Sequence, residues 1–367
     1  MKLKIFSRSS RAALLLFLAA ALLFTGCTPA LLDHTEETAA QDTAPAETLS
    51  APTAEEEEIL PYPDDSYAAQ FFVKNANKGD SKRLLGKVLL NFFLFSDDKN
   101  VWTEADTKVL KGYHNLALKR MKSDASRYGV TLDVEFNYIP CSISGVHNRD
   151  NATEEVKTAL KGAGFSNVNS IIPRLKQQFK VDEAAILFCY NGANRSFCYP
   201  TKNASGFEYA MLYGRDEDFR HELYHLFGAR DYYLPSIVNT LAEHYFYNSI
   251  MLSTNGWADE FTAYLLGWKK TVTQKVLDFL EGCKDLENWN DYDAGSFTGE
   301  QTLTLNFGTY TGEFKKGLIC GQGKMVYLNG DVYEGAWLDG VRHGQGTLTK
   351  KNGEVLSGTW EYNLFRG

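Results

Sequence analysis

The sequence of 367 residues predicts an α+β domain followed by an all-β array of hairpin repeats. Two observations support this prediction. Between residues 87 and 268, short apolar or alternating segments typical of strands are interspersed with segments of helical periodicity. From residue 310 onwards, the sequence repeats at an interval of 23 residues, which indicates a stack of similar units. The first pattern predicts one sheet with helices packed against it.

The individual elements of the first domain, predicted over residues 67–290, follow from local patterns. Lys87–Ser96 is almost continuously apolar, which predicts a buried strand. Thr103, followed by the acidic Glu104, predicts the start of an amphipathic helix that runs towards residue 128. Further predicted elements are a half-buried strand at 131–139, a helix at 170–180, a strand at 184–190, a turn at 192–194 leading into a short edge strand, and a helix at 259–268.

The most informative segment is 221–231, which has the spacing H-E-x-x-H-x-x-G-x-x-D. His221 and His225 are four residues apart, so a helix places both imidazoles on one face, where they can bind one metal ion. Glu222 can reach a water on that metal without being a ligand. Gly228 allows the chain to leave the helix through a conformation that is unfavourable for other residues, so that Asp231 can return as a third ligand. Three protein ligands and one open position characterise a catalytic Zn²⁺ site.

This signature resembles that of the metzincin metallopeptidases, in the variant whose third ligand is Asp. The resemblance implies a zincin-like fold, zinc as cofactor and hydrolysis of peptide bonds, with Glu222 as general base. It also implies a methionine in a tight turn beneath the metal, for which Met251 is the candidate. Several metzincins place a Tyr two residues after that Met. Here the position holds Ser253, so Tyr232 or Tyr233 would have to supply an assisting phenol.

Two other carboxylates compete with Asp231 for the place of third ligand. Glu243 lies 18 residues after His225, a spacing compatible with a gluzincin-type site, and Glu260 lies further along the chain. Both are in segments of helical pattern, where a solvated acidic residue is the ordinary explanation. Asp231 is therefore favoured, and the two alternatives remain open.

Residues 1–26 have the organisation of a secretory signal peptide. The apolar run 12–24 is too short to favour a stable transmembrane helix. The sequence before Cys27 resembles a bacterial lipobox, which implies that Cys27 is lipidated and anchors the protein on the outer face of the cytoplasmic membrane. The alternative is ordinary secretion with a chance Cys at the cleavage site. The basic residues around the start of the run are Lys2, Lys4, Arg8 and Arg11.

The segment that follows, 27–66, is predicted to be an extended acidic tether. Residues 28–66 contain 11 acidic residues and no Lys or Arg, so they cannot bury enough apolar surface to fold. The net charge of the whole chain is -8. Residues 1–27 contribute four positive charges and the tether 11 negative ones, so the rest of the chain carries a net charge of about -1 and is nearly neutral. No basic patch indicates a nucleic-acid partner.

The cysteines allow two interpretations. Cys189 and Cys198 flank the turn at 192–194, so they form a disulfide if their strands pair in register. A pair of buried free thiols is the equal alternative.

The C-terminal region, 296–367, resembles MORN repeats. The segment 310–314 (YTGEF) recurs as YEGAW at 333–337 and as LSGTW at 356–360. Gly317, Gly321, Gly323 and Gly330 recur at the same interval as Gly340, Gly344, Gly346 and Gly353. The resemblance implies stacked β-hairpins with glycines at turns and close approaches. Such a stack serves either as a rigid spacer or as a binding surface for a protein, lipid or glycan partner.

Two functions of different classes fit these observations. The first is a membrane-anchored, extracytoplasmic zinc endopeptidase that acts on a peptide or protein substrate. The second is a catalytically inactive surface binding or scaffold protein that acts through the repeats. A decayed enzyme would be expected to lose Glu222 or a metal ligand first, and all of these residues are present. The sequence therefore favours the enzyme.

Overall fold

The computed structural model describes Phe72 and residues 79–165, 171–200, 206–214, 219–233, 236–253, 256–284, 296–305 and 307–367. All of them belong to one compact unit, Glu56–Gly367. The predicted signal peptide, Cys27 and the acidic tether lie outside the described residues. Within these ranges, no helix combines the length and the apolar character that crossing a bilayer requires.

A five-stranded sheet forms the centre of the first domain, with the strand order β2-β1-β3-β5-β4. Four strands are parallel, and β4 is an antiparallel edge strand that pairs with β5. β1 is buried over eight consecutive residues because hydrophobic clusters cover both faces of the sheet, which explains why seven of those eight residues are apolar, Asn91 being the exception. The strands are β1 (Lys87–Ser96), β2 (Asp133–Ser142), β3 (Glu183–Tyr190), β4 (Phe197–Tyr199) and β5 (Tyr209–Tyr213).

Helices pack on both faces of this sheet. α2 (Ala152–Gly162) and α3 (Ile171–Phe179) bury their apolar sides in the cluster on one face. Thr103 caps the helix α1 (Glu104–Ser126) through a capping box with Asp106, as its position before Glu104 predicts. The helices of the other face are α1 (Glu104–Ser126), α4 (Arg220–Leu226), α5 (Ser236–Tyr245), α6 (Glu260–Leu265) and α7 (Gln274–Gly282). The predicted N-terminal α+β domain is therefore present.

Of the two interpretations of Cys189 and Cys198, the disulfide is wrong, because their strands do not pair with each other. β4 exists as a short edge strand, but it pairs with β5, and β5 lies between it and β3. Cys189 is opposite Leu212, and Cys198 is opposite Ala210. The two thiols therefore lie on strands that are not neighbours, and both cysteines are free. All five residues of β5 are buried, as expected for a strand in an inner position.

The C-terminal region forms a seven-stranded antiparallel sheet in which each strand pairs with its neighbours in sequence. This all-β architecture confirms the repeat prediction. Its strands are β6 (Gly299–Leu305), β7 (Gly308–Lys315), β8 (Leu318–Tyr327), β9 (Val332–Leu338), β10 (Val341–Thr349), β11 (Val355–Glu361) and β12 (Leu364–Phe365).

Contacts between tyrosine rings and glycines recur at the interval of 23 residues. The ring of Tyr310 lies against Gly323, and the ring of Tyr333 lies against Gly346 in the same way. A Cβ atom at either glycine would collide with the ring, so no other residue fits there. Each tyrosine hydroxyl also donates to a backbone carbonyl of its own unit. We call this contact the Tyr–Gly socket.

The repeat sheet packs against helices of the first domain. The ring of Tyr362 stacks on His244 of α5, with 3.7 Å between ring centroids. Asn363 donates to the carbonyl of Gly282 at the end of α7 at 2.9 Å. The hydroxyl of Thr240, also on α5, donates to the carbonyl of Asp339 at 3.0 Å. The sheet is thus held directly on two helices of the α+β domain.

A buried carboxylate ties the start of the described chain to β5. Glu208 is fully buried and accepts hydrogen bonds from the backbone N–H groups of Asp80 and Ser81, both at 2.5 Å, and from the Ser81 hydroxyl. Burial raises the pKa of Glu208 to about 7, although the hydrogen bonds from Ser81 and Asp80 oppose this rise.

We expect Glu208 to make the protein less stable as the pH rises from about 5 to about 8. Its pKa in the folded state, about 7, exceeds the ordinary value of 4.5. The stabilisation is therefore complete below the ordinary pKa and is lost as the pH rises through the folded pKa, by about 3 kcal/mol in total. Urea unfolding at both pH values measures this change. Glu208→Gln should remove it, whereas Glu300→Gln, at an exposed carboxylate, should retain it. An undiminished pH dependence in Glu208→Gln would contradict the assignment.

Candidate metal centre

Helix α4 carries both histidines and is fixed by a buried ion pair. Arg220, directly before His221, contacts Asp124 near the end of α1 at 2.6 Å. Asp124 also accepts the N–H of Ala258 at 3.3 Å. Burial raises the pKa of Asp124, and the charge of Arg220 opposes this rise. Because removing either partner would leave a buried charge, this pair sets the position of α4 firmly. Sequence reasoning missed the pair, although a charged residue beside the motif was its local signal.

Three potential ligand atoms converge at one point. The Nε2 atoms of His221 and His225 are 3.3 Å apart. The Oδ1 atom of Asp231 lies 3.1 Å from the first and 3.2 Å from the second. Among the described residues, these three are the group whose ligand atoms lie close enough together to hold a metal ion. The structure thus brings together all three of the ligands that the sequence predicts.

The spacing of these atoms fits a tetrahedral ion. Ligands bound to zinc at about 2.0 Å in a tetrahedron lie about 3.3 Å from one another. The observed separations of 3.1, 3.2 and 3.3 Å are close to that value. The cluster therefore has the dimensions of three corners of a zinc tetrahedron.

Hydrogen bonds to the backbone orient both imidazoles. The Nδ1 atom of His221 lies 2.9 Å from the carbonyl oxygen of Ile250, and that of His225 lies 2.9 Å from the carbonyl oxygen of Ala229. A carbonyl oxygen only accepts, so each Nδ1 carries the proton. In the neutral ring, each Nε2 then presents its lone pair to the cluster. This is the arrangement that commonly orients histidine ligands of metal ions.

Asp231 reaches the cluster through the predicted turn. Gly228 has a φ of 102°, in the region that favours glycine, and it follows the last turn of α4. The Oδ1 atom of Asp231 is buried and accepts no hydrogen bond of good geometry from a described residue. Burial opposes the charge of this carboxylate, but the nearby His221 and His225 rings hold its pKa below the ordinary range. An acceptor atom in this position is suited to a cation.

Glu222 and Tyr233 lie beside the cluster without joining it. Glu222 is half-buried, and its charge acts on His221 and on Tyr233. The phenol of Tyr233 is hydrogen-bonded to Asp231 and accepts a hydrogen bond from Arg195 at 3.1 Å. Burial, and then the Asp231 carboxylate, raise the pKa of Tyr233 to about 12, so its phenol stays protonated. Sequence reasoning also missed Arg195, for which there was no local signal.

The turn at Met251 supports the cluster from below. Met251 is fully buried, and its carbonyl accepts the N–H of Tyr232 at 2.9 Å. The preceding residue, Ile250, supplies the carbonyl that orients His221. Tyr232 itself is fully buried, with its hydroxyl 3.3 Å from the Thr262 hydroxyl and 3.4 Å from Asp259. Of the two candidate phenols, only that of Tyr233 lies at the cluster, and Ser253 is exposed.

The two competing carboxylates lie elsewhere. Glu243 is on an exposed position of α5. Glu260 accepts hydrogen bonds from Thr273 at 2.6 Å and from Lys269 at 3.4 Å, at the start of α6. Neither belongs to the group of converging ligand atoms among the described residues. The geometry thus favours Asp231 as the third residue of the cluster.

Comparison with known proteins identifies the C-terminal region. Residues 310–332 and 333–355 match the family model of the MORN repeat. A search of the curated proteins gave no significant match. The two matched segments agree with the interval marked by the Tyr–Gly sockets.

Proposed function

We propose that this protein is a zinc-dependent endopeptidase whose zinc is bound by His221, His225 and Asp231. The observation that carries the proposal is the convergence of their three ligand atoms at separations of 3.1–3.3 Å. Both histidines are held in the tautomer that a metal requires, and Glu222 stands beside them. When bound, zinc would polarise the scissile carbonyl and lower the pKa of a water molecule towards neutrality.

The side chains around the cluster have separate roles in this proposal. Glu222 accepts the proton of the attacking water and passes it to the departing amine. Tyr233 stays protonated, and its one hydroxyl proton can turn from Asp231 towards the negative charge that develops on the carbonyl oxygen. The carbonyls of Ile250 and Ala229 hold the rings of His221 and His225 in place.

The edge strand β4 supports an extended peptide as substrate. β4 pairs with β5 on one side, and among the described strands no other occupies its second side. Helix α4 packs directly against β4. An extended segment that adds to this free edge makes backbone hydrogen bonds and passes close to the cluster. Such binding recognises the extended backbone of the peptide and does not require a chain terminus. It therefore fits an endopeptidase, which cleaves within a chain.

Metal removal tests this function. The purified full-length protein should contain a single zinc ion per chain and should hydrolyse members of a mixed peptide library. A chelator should stop hydrolysis, and added zinc should restore it. A protein that contains no zinc and cleaves none of the peptides would favour the alternative, a scaffold that acts through its repeats.

We also propose that Cys27 carries lipid and holds the protein on the outer face of the cytoplasmic membrane. The support is the lipobox-like sequence directly after the apolar run 12–24. Cys27→Ser should move the protein from the membrane fraction of the producing bacterium to the soluble extracytoplasmic fraction, because a lipid is the predicted anchor. Cell fractionation and mass spectrometry of the mature N-terminus measure this change. A wild-type protein with an unmodified N-terminus would contradict the proposal.

A further inference from the structure

We propose that Arg195 forms a subsite beside the metal centre that recognises a carboxylate of the substrate, so that acidic peptides are preferred. This inference rests on the proposed peptidase function. It adds the class of substrate, which the cluster of His221, His225 and Asp231 leaves undetermined.

Arg195 is one side chain away from the cluster. Its Nη2 atom donates to the hydroxyl of Tyr233 at 3.1 Å, and its guanidinium carbon lies 5.8 Å from the centre of the Tyr233 ring. Tyr233 in turn is hydrogen-bonded to Asp231. The guanidinium group is therefore held in a defined position by a residue that itself contacts a proposed metal ligand.

The guanidinium group of Arg195 uses only part of its hydrogen-bonding capacity in the contact with Tyr233. Arg195 is exposed, and no carboxylate of the described residues forms an ion pair with it. The group carries five N–H donors in a planar fork that matches the two oxygens of a carboxylate. The contact with Tyr233 occupies one edge of the fork, and among the described residues no other side chain binds the rest of it, which is therefore suited to a ligand. A bidentate pair of this kind is stronger and more directional than a single hydrogen bond.

The location of Arg195 puts it in the path of an extended substrate. It lies two residues before the start of β4 at Phe197. β4 is the strand to whose free edge a peptide would add. With zinc bound, the +2 charge of the ion would balance the negative charges of Glu222 and Asp231. The cation Arg195 therefore adds an attraction that stabilises the complex with a peptide that carries a carboxylate nearby.

Arg149 provides a matched control. It is also exposed, and its guanidinium carbon lies 5.0 Å from the centre of the Phe197 ring. Phe197 packs in the hydrophobic cluster on the sheet face opposite α4, whereas Cys198 packs on the α4 side. Arg149 therefore has the same charge and contacts the same strand, but on the face away from the metal centre.

The first experiment compares cleavage of matched peptide pairs by the zinc-loaded, full-length protein. Blocked octapeptide pools with a central Glu should be cleaved with a kcat/KM about 10- to 100-fold higher than pools with a central Gln, the range of a hydrogen bond to a charged group. Arg195→Ala should remove this difference mainly through KM. Arg195→Glu should reverse it in favour of pools with a central Lys, and Arg149→Ala should preserve it. An equal loss of kcat for all pools would overturn the inference, because it would mean that Arg195 only positions Tyr233.

The second experiment measures binding without hydrolysis. In the Glu222→Ala background, fluorescence anisotropy should show tighter binding of the Glu pool than of the Gln pool, and Arg195→Ala should abolish the difference. This result would uphold the subsite even if the wild-type protein cleaved nothing, in which case the proposed function alone would fail. Pools with a free C-terminus, compared with amidated pools, distinguish a terminal carboxylate from a side-chain carboxylate. Equal binding of all pools would overturn the inference whatever the activity.

Discussion

Replacing Glu222 by Gln should lower the kcat of peptide hydrolysis by about 10²–10⁴-fold. Gln has nearly the same shape but cannot accept the proton of the attacking water. Because Glu222 is not one of the three residues whose ligand atoms converge, the variant should still bind zinc. Steady-state kinetics with a quenched fluorescent peptide, together with zinc analysis of the same sample, measure both effects.

The control for this prediction is Glu243→Gln, at an exposed carboxylate on α5. This variant should retain both zinc and activity. A Glu222→Gln protein that lost its zinc would show that Glu222 binds the metal. A variant that kept the wild-type rate would show that Glu222 is not the general base, and this would contradict the proposed reaction.

Asp231→Ala should strip the zinc from the purified protein. The substitution removes one corner of the triangle formed with His221 and His225, and the two remaining rings leave the ion open to water and chelators. The loss of affinity should exceed the roughly 10–100-fold that follows removal of a hydrogen-bonding partner of a ligand. Competition with a chromophoric chelator measures the dissociation constants of the wild type and the variant.

The competing ligands provide the matched variants for that experiment. Glu243→Ala and Glu260→Ala should keep wild-type zinc affinity, since one side chain is exposed and the other is bonded to Thr273 and Lys269. Loss of zinc in either variant, with retention in Asp231→Ala, would assign the third ligand to that glutamate.

Local patterns predicted those parts of the fold that depend on neighbouring residues. The bounds of β1 coincide with the predicted strand Lys87–Ser96, because a strand buried on both faces is apolar at nearly every position. Thr103 caps α1 as predicted, since capping involves only the next few residues. The return of Asp231 towards His225 likewise depends on a turn at Gly228, whose φ of 102° is the expected conformation.

Contacts between distant segments could not be predicted in the same way. β5 lies between β3 and β4, and the sequence of the turn at 192–194 does not predict this position. The ion pair of Arg220 with Asp124 spans 96 residues, and the contact of Arg195 with Tyr233 spans 38. Such partners are chosen by packing over the whole domain. Periodicity and spacing within one segment carry no information about them.

The Tyr–Gly socket limits the ways in which such an array can become longer when part of its sequence is duplicated during evolution. The ring of Tyr310 needs the glycine at 323, and that of Tyr333 needs the glycine at 346, so both partners of each socket lie within one unit. A duplicated stretch keeps all contacts only if it contains a whole number of units. At the third equivalent position the chain has Leu356, which has no ring and makes no such demand. New units can therefore be inherited before Leu356 in multiples of 23 residues, because each such unit brings both its own ring and its own glycine.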